Sequence, residues 1–196
     1  SPLALSQSVT LGIASNTEMT MPDWMSRSGG GMNQDGEDVG ALVRWIGHDA
    51  EIFPGNSGGP LVNINGEVIG VNEIKMGLSG AIPGNLAHEV ADALMKEGKV
   101  RRAWLGLEIQ PRLKSANLQQ GALVGSIIKG APADLAGIQA GDYLLTLAGA
   151  PVDIKFMVQL PDLNRLVAGL AIGQPIPVQV DRAGKLMDMT ITPTER

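Results

Sequence analysis

The sequence predicts a mainly β protein that is divided into two domains. Its 196 residues include 26 glycines and 12 prolines, whereas only 3% of the residues are aromatic. Glycine supplies positive φ angles and proline fixes φ in turns, so this composition favours short strands joined by tight turns. Two domains of about 100 residues each are the usual solution at this length. We expect the boundary beside the basic stretch 99–102, which gives domains 1–100 and 101–196.

The overall composition excludes several classes of protein. Apolar residues make up 44% of the chain and charged residues 18%, which is enough to form a core. The net charge is -5 and the basic residues are scattered, so we expect no nucleic acid partner. The absence of cysteine removes disulfides and cysteine-based zinc sites, and we predict no metal and no cofactor. No apolar run reaches the about 18 residues of a membrane span.

The first half shows patterns of strands, a long loop and one helix. Polar and apolar residues alternate over 8–14, as in a half-buried strand, and residues 20–37 are rich in glycine and other breakers, as in a surface loop. Apolar runs on both sides of Asn65-Gly66 predict a hairpin over 59–72. Residues 86–96 predict a helix with Asn85 as N-cap, which ends at Gly98.

The second half has the mixed pattern of a small sheet with two helices. We predict strands at 105–109, 122–128, 143–147, 176–180 and 187–192, and helices near Pro132 and at 162–168.

The motif Pro54-Gly55-Asn56-Ser57-Gly58-Gly59-Pro60-Leu61 stands directly before the hairpin. A serine hydroxyl becomes a nucleophile only when a base takes its proton and N–H donors stabilise the oxyanion, which requires a tight turn with exposed backbone. The glycines permit such a turn. Ser57 is therefore the predicted nucleophile, and the N–H groups of Gly55 and Ser57 are the predicted oxyanion donors. Gly-Ser-Gly alone also occurs in ordinary turns, but six specified residues and a following strand favour the catalytic interpretation.

This motif, with the hairpin sequence up to Asn72, resembles the HtrA/Deg family of serine proteases that carry PDZ domains. Residues 7–15, 49–50 and 80–85 extend the resemblance along the chain. It implies the second six-stranded-type β-barrel of a chymotrypsin-like protease, followed by a PDZ-like α+β domain. Ser1 opens a stretch that reads as the middle of a domain, so we expect a fragment.

The resemblance also implies a catalytic histidine and aspartate on an N-terminal barrel that lies upstream of this chain. The two histidines present, His48 and His88, do not fit that role, because His48 precedes Ser57 by nine positions and His88 falls on the predicted helix. We therefore expect the chain to be nearly inert without the missing barrel.

A substrate pocket is implied at Ile52, Leu78, Ser79 and Gly80. An apolar floor would accept small or medium aliphatic side chains, as in the family. Two positions depart from the family pattern: Glu51 replaces a small apolar residue, and Gly80 replaces a common phenylalanine. Residues 19–38 replace a compact activation loop.

In the second half, Trp104-Leu105-Gly106-Leu107 resembles the carboxylate-binding loop of family PDZ domains. Backbone N–H groups around a glycine can bind a C-terminal carboxylate, while the peptide adds as a strand beside Leu107 and Ile109. Leu105 and Leu107 are equally explained as core residues, and both roles remain open.

Two functions follow from these patterns. The first is a serine endopeptidase for unfolded or damaged polypeptide, whose PDZ domain binds exposed C-termini. The second is a non-catalytic peptide-binding or chaperone-like scaffold derived from half of a protease. The resemblance implies a possible homotrimer, located in the periplasm or cell envelope.

Overall fold

The computed structural model describes residues 8–21, 33–34, 37–38 and 40–196. The chain divides into two compact units, Ser1–Val100 and Arg101–Arg196, which we call unit 1 and unit 2. Each unit is built on an antiparallel sheet, so the mainly β class predicted from the composition is confirmed.

The sheet of unit 1 places neighbouring strands in the order β1-β4-β7-β6-β5. A short hairpin of β2 and β3 lies outside this order. The strands are β1 (Ala14–Met19), β2 (Asn33–Gln34), β3 (Glu37–Asp38), β4 (Trp45–His48), β5 (Pro60–Val62), β6 (Val68–Met76) and β7 (Leu78–Pro83). Most of the predicted loop 20–37 lies outside the described residues.

The strand predicted at 8–14 is wrong in its position, because β1 begins at Ala14. The preceding residues are bonded mostly through side chains instead of a regular ladder. Thr10 Oγ1 donates to the Glu51 carbonyl at 3.0 Å, and the Ile13 N–H donates to Asp49 Oδ1 at 2.6 Å. The alternating pattern identified an extended segment but not how it is bonded.

The hairpin of β5 and β6 is confirmed, with a different turn from the expected one. The Gly66 N–H donates to the Asn63 carbonyl at 3.0 Å, and the Asn63 N–H donates to the Glu67 carbonyl at 3.0 Å. The loop therefore has three residues and ends at Gly66, whose φ is +82°. Asn63 Oδ1 also accepts from the Asn65 and Glu67 N–H groups, which stabilises this longer turn.

The helix α1 (Gly84–Glu97) closes unit 1 and packs beside β6 and β7. The expected N-cap at Asn85 is wrong, since the helix begins at Gly84, after Pro83, and no side chain caps it. Its end at Gly98 is confirmed: Gly98 has φ +73° and donates its N–H to the Leu94 carbonyl at 2.9 Å.

The main sheet of unit 2 runs in the order β14-β13-β11-β10-β9, with β12 paired to β11. A separate pair, β8 with β15, joins the two ends of the unit. The elements are β8 (Ala103–Trp104), β9 (Leu107–Pro111), β10 (Ala122–Ile127), α2 (Pro132–Leu135), β11 (Tyr143–Leu147), β12 (Ala150–Pro151), α3 (Leu160–Ala168), β13 (Ile176–Arg182), β14 (Lys185–Ile191) and β15 (Thr194–Glu195).

At the edge of the core of unit 2, a buried carboxylate pairs with a partly exposed arginine. The carboxylate of Asp142 is almost fully buried and accepts from Arg182 Nε and Nη2, both at 2.7 Å. Asp142 Oδ2 also accepts the Gln139 N–H at 2.8 Å. The hydrogen bonds that Arg182 donates to the Asp142 carboxylate raise the pKa of Arg182, which keeps the guanidinium charged. The pair links the start of β11 to the end of β13.

Candidate active site

Ser57 follows a tight turn that is built on Gly55. The Asn56 N–H donates to the Phe53 carbonyl at 2.9 Å, and Gly55 has φ +104°, a conformation that favours glycine. Within the described residues, the N–H groups of Gly55 and Ser57 donate to no other group. These are the two predicted oxyanion donors, and both are left available for an acceptor.

A second turn follows Ser57 and is tied to β6. The Gly59 N–H donates to the Asn56 carbonyl at 2.9 Å, and Gly58 has φ +85°. Gly58 and Gly59 exchange two backbone hydrogen bonds with Asn72, each of 2.8 Å. The serine turn is therefore fixed to the sheet immediately after the nucleophile.

The hydroxyl of Ser57 donates to the Glu73 carbonyl at 3.0 Å. Glu73 is itself positioned by the indole of Trp45, whose Nε1 donates to Glu73 Oε2 at 2.5 Å. Trp45 is fully buried and, with Met19 and Ile74, forms the centre of the unit 1 core. The residue that bonds the serine hydroxyl is thus anchored in that core.

His48 is 2% exposed and lies behind the serine turn. Its Nε2 is 3.1 Å from Asn72 Oδ1, and Asn72 Nδ2 donates to the Pro60 carbonyl at 3.3 Å. Since this arrangement leaves Oδ1 as an acceptor, Nε2 carries the proton. His48 Nδ1 is buried without a partner among the described residues. His48 contacts the serine turn through Asn72, whereas the Ser57 hydroxyl bonds to Glu73.

His88, the other histidine, lies far along the chain on the exposed face of α1. Its Nε2 is 3.7 Å from Asp92 Oδ2, one helical turn away. His88 and Asp92 thus form an exposed pair of side chains on one helix.

The predicted pocket residues differ in where they face. Ile52 is buried, and Ser79 is buried with its Oγ donating to the Ala50 carbonyl at 2.8 Å. This bond joins β7 to the segment that leads to Ser57. Leu78 is half-buried and packs against the core of unit 1.

Gly80 faces the interior of unit 1. A Cβ added there would lie 2.8 Å from Met19 Cε, 2.9 Å from Ile74 Cγ1 and 3.3 Å from Trp45 Cγ. The side chains of the core, with the large indole among them, thus fill the space that a residue with a side chain would need. Gly80 can line the predicted pocket only through its backbone.

Glu51, the departure from the family pattern, carries a charge beside this region. Its carboxylate forms an ion pair with Lys75, whose Nζ also lies 5.9 Å from the centre of the Phe53 ring. Both charged side chains are about half exposed, so the charge of Glu51 is paired and solvated.

Sequence reasoning did not select Asn72 or Glu73 as site residues. The sequence signal was this polar pair itself, which interrupts the apolar residues in the middle of β6. Such a pair in a half-buried strand needs partners, and here its partners include the serine turn.

The predicted carboxylate loop of unit 2 is a left-handed turn at Gly106, with φ +72°. The Leu105 carbonyl accepts from Ala133 at 2.9 Å and the Gly106 carbonyl from Ile128 at 2.8 Å. Within the described residues, the N–H groups of Leu105 and Gly106 donate to no other group. A Cβ on Gly106 would lie 2.1 Å from Ala131 Cβ, so only glycine fits.

Beside this loop, β9 forms one edge of the sheet, and α3 lies next to it. Leu105 is buried in the core, whereas Leu107 and Ile109 are half-buried and pack against that core. Leu166 and Val167 of α3 pack against it too. An open strand edge next to a helix, with apolar side chains between them, is a geometry that accepts an extended peptide.

Two family models match the chain in the same order as its units. The trypsin model matches residues 6–92, which include Ser57, and the PDZ domain model matches residues 104–192. In sequence and fold, this chain resembles the HtrA/Deg family.

Individual proteins extend this HtrA/Deg likeness over the whole chain. A probable periplasmic DegP-like serine endoprotease of Pseudomonas putida is 37% identical over 98% of the chain, and one of Halomonas elongata is equally similar. The solved HtrA-type protease AlgW with a decapeptide has a TM-score of 0.80 at 30% identity, and a serine endoprotease from Yersinia pestis has 0.72. Both structures cover all of the chain.

The chain spans only part of these proteins. It covers 39% of the length of the two curated relatives, 58% of the solved AlgW chain and 59% of the Yersinia pestis chain. Over this part of their length, the family models and the solved structures agree on a trypsin-like unit followed by a PDZ domain.

Within the described residues, no group of three or more histidine, aspartate or glutamate side chains could hold a metal ion. No helix in that part of the chain has the length and apolar character needed to cross a bilayer.

Proposed function

We propose that this chain supplies the nucleophile of a serine endopeptidase, with Ser57 attacking the peptide carbonyl. The observation that carries this proposal is the turn in which the Gly55 and Ser57 N–H groups are free of protein acceptors, next to the serine hydroxyl. An oxyanion formed on the attacked carbonyl would accept from these two donors. Ile52, Leu78, Ser79 and the backbone of Gly80 would surround the side chain before the cleaved bond.

The base for Ser57 would come from an N-terminal half of the protease domain, outside this chain. His48 is a poor candidate, because its Nε2 is bonded to Asn72 and it is buried behind the turn. Alternating residues of the extended segment before β1 support a docking surface for that half: Val9, Leu11 and Ile13 are 93%, 95% and 72% exposed. A row of exposed apolar side chains of this kind is typical of an interface.

Proteolysis is tested by casein cleavage with a longer protein that contains the N-terminal half. The unchanged protein should cleave casein, and Ser57→Ala should abolish cleavage. Ser115→Ala, in an exposed loop of unit 2, should keep full activity. Undiminished cleavage by Ser57→Ala would show that Ser57 is not the nucleophile.

Unit 2 would bind the exposed C-termini of unfolded or damaged polypeptides. The free N–H groups of Leu105 and Gly106 support a carboxylate site, and Leu107 and Ile109 of β9 support strand addition beside it. The names of the curated relatives favour a periplasmic location. Assembly as a homotrimer follows from the family resemblance and is tested by the molar mass of the longer protein in solution.

The second candidate is a non-catalytic peptide-binding or chaperone-like scaffold. The absence of a base beside Ser57 among the described residues favours it. The discriminating observation is the gene sequence before Ser1. If no histidine and aspartate are encoded there in a trypsin-like pattern, the scaffold replaces the protease.

A further inference from the structure

β9 has one bonded side and one open side, because it lies at the end of the strand order of its sheet. Its bonded side faces β10. The Ile128 N–H donates to the Gly106 carbonyl at 2.8 Å, so the Gly106 carbonyl, just before β9, points toward β10. Peptide groups of successive residues in a strand point to alternate sides.

The backbone N–H and carbonyl of Ile109 point away from β10. Its partner in β10 is Val124. Val124 uses both of its backbone groups on the far side of β10: its N–H donates to the Asp142 carbonyl at 2.8 Å, and its carbonyl accepts from Gly141 at 2.8 Å. Facing residues of an antiparallel pair exchange two hydrogen bonds or none. The N–H and carbonyl of Ile109 therefore point to the open edge.

The same alternation directs the backbone groups of Leu107 and Pro111 to the open edge. Leu107 and Ile109 each offer a donor and an acceptor there. Pro111 offers only its carbonyl, since proline has no N–H. After Pro111 the strand ends, and the Leu113 carbonyl is taken by the Ala116 N–H at 3.0 Å.

We propose that Pro111 ends the backbone ladder of a bound peptide, so that unit 2 reads only the last four residues of a C-terminus. This inference rests on the peptide capture proposed above. With the carboxylate at the loop of Gly106, the last residue of an antiparallel peptide lies opposite Leu107. The third residue from the end then lies opposite Ile109, and the fifth lies opposite Pro111.

This register assigns a different role to each part of the peptide. The last and third-last residues exchange bonds with Leu107 and Ile109. The carbonyl of the fifth-last residue meets Pro111 and finds no donor. Peptide chain beyond the fourth-last residue therefore adds little backbone affinity, and it is free to leave the edge of the sheet.

The test uses isothermal titration calorimetry on the full chain. The probes are acetylated peptides of three, four, five and seven residues that share their last residues and end in valine with a free carboxylate. Affinity should stop rising beyond the four-residue peptide. Pro111→Ala supplies the missing N–H and should strengthen binding of the five- and seven-residue peptides by about three- to tenfold, as expected for one net hydrogen bond.

Three controls test whether the gain comes from the one hydrogen bond that the new N–H at position 111 donates. The three-residue peptide should bind Pro111→Ala and the unchanged chain equally. Pro175→Ala, at an exposed proline before β13, should leave the affinity of every peptide unchanged. A seven-residue peptide with an ester between its fifth- and fourth-last residues has a weaker acceptor there, and it should lose the gain in Pro111→Ala.

Two results would overturn the inference alone: a steady rise in affinity up to seven residues in the unchanged chain, or an equal effect of Pro111→Ala on short and long peptides. If no peptide of any length binds, then the proposed capture of C-termini by unit 2 is itself wrong.

Discussion

The imidazole of His48 and the side-chain amide of Asn72 lie 3.1 Å apart, between Nε2 and Oδ1, beneath the turn that carries Ser57. Asn72 also exchanges backbone hydrogen bonds with Gly58 and Gly59. One buried histidine therefore braces the asparagine that holds the serine turn on β6. This contact favours a positioning role for His48 over the role of a base.

We predict that His48→Ala loosens the serine turn. The change leaves Asn72 Oδ1 without its partner and opens a cavity, which should lower the free energy of unfolding of unit 1 by about 2 kcal/mol. Hydrogen exchange measured by NMR should show faster exchange of the Gly58 and Asn72 amides. His88→Ala, on the exposed face of α1, is the matched control and should leave both amides protected. Equal protection in the two variants would show that the contact of His48 with Asn72 does not stabilise the serine turn.

A second prediction concerns the carboxylate loop. Gly106→Ala combines a left-handed backbone with a Cβ contact of 2.1 Å to Ala131, whereas Gly149→Ala has nearly the same φ, +81°, in open space. Strain alone costs about 1 kcal/mol. Gly149→Ala should lose about that much stability and bind peptide normally. Gly106→Ala should lose more and bind at least tenfold more weakly in calorimetry. Equal behaviour of the two variants would mean that the loop is not packed as described.

The ion pair of Asp142 and Arg182 gives a third prediction. Asp142→Ala leaves the guanidinium and the Gln139 N–H without their shared acceptor, so the Tm of unit 2 should fall by more than about 10 °C. Asp188→Ala, which removes an exposed carboxylate bonded to Gln179, should change Tm by far less. Calorimetric scans of the two variants make the comparison. Similar values of Tm would contradict a structural role for the buried carboxylate.

The pH dependence of this pair has a definite sign. Because the pKa of Arg182 is raised in the folded state, the stabilisation from its charge is complete below the ordinary arginine pKa and is lost only as the pH rises through the raised value. Titration of Arg182 should therefore not change Tm anywhere in the neutral or mildly alkaline range. A loss of stability of unit 2 in that range that Arg182→Met removes would contradict this.

The sequence predicted the parts of the fold that depend on local patterns. Glycine at 98 and the Asn65-Gly66 hairpin signal located the end of α1 and the β5–β6 pair. It did not predict the start of β1, because long-range bonds to Asp49 and Glu51 hold the preceding residues outside the regular ladder. It did not predict the start of α1 either, because the helix begins directly after a proline and has no side-chain cap. Turn geometry at residues 63–67 depended on one side chain, that of Asn63.

The candidate site was predictable only where it is continuous in sequence. Ser57 and its glycines form one motif, so the turn could be identified directly. The residues that contact the turn or support those contacts lie on other strands: Asn72 and Glu73 on β6, and Trp45 on β4. No local pattern predicts contacts between separate strands. Gly80 could be named as a pocket residue, but its close approach to the core around Trp45 required the packing of β7 on that core.

We propose that Ser57 is a nucleophile whose base lies outside this chain, and covalent labelling distinguishes such a serine from an inert one. A fluorophosphonate probe reacts with activated serines, and the labelled residue is identified by mass spectrometry. The longer protein with its N-terminal half should be labelled at Ser57, while the present chain alone should remain almost unlabelled. Equal labelling of Ser57 in the present chain alone, or labelling of the longer protein at a different serine, would contradict the claim.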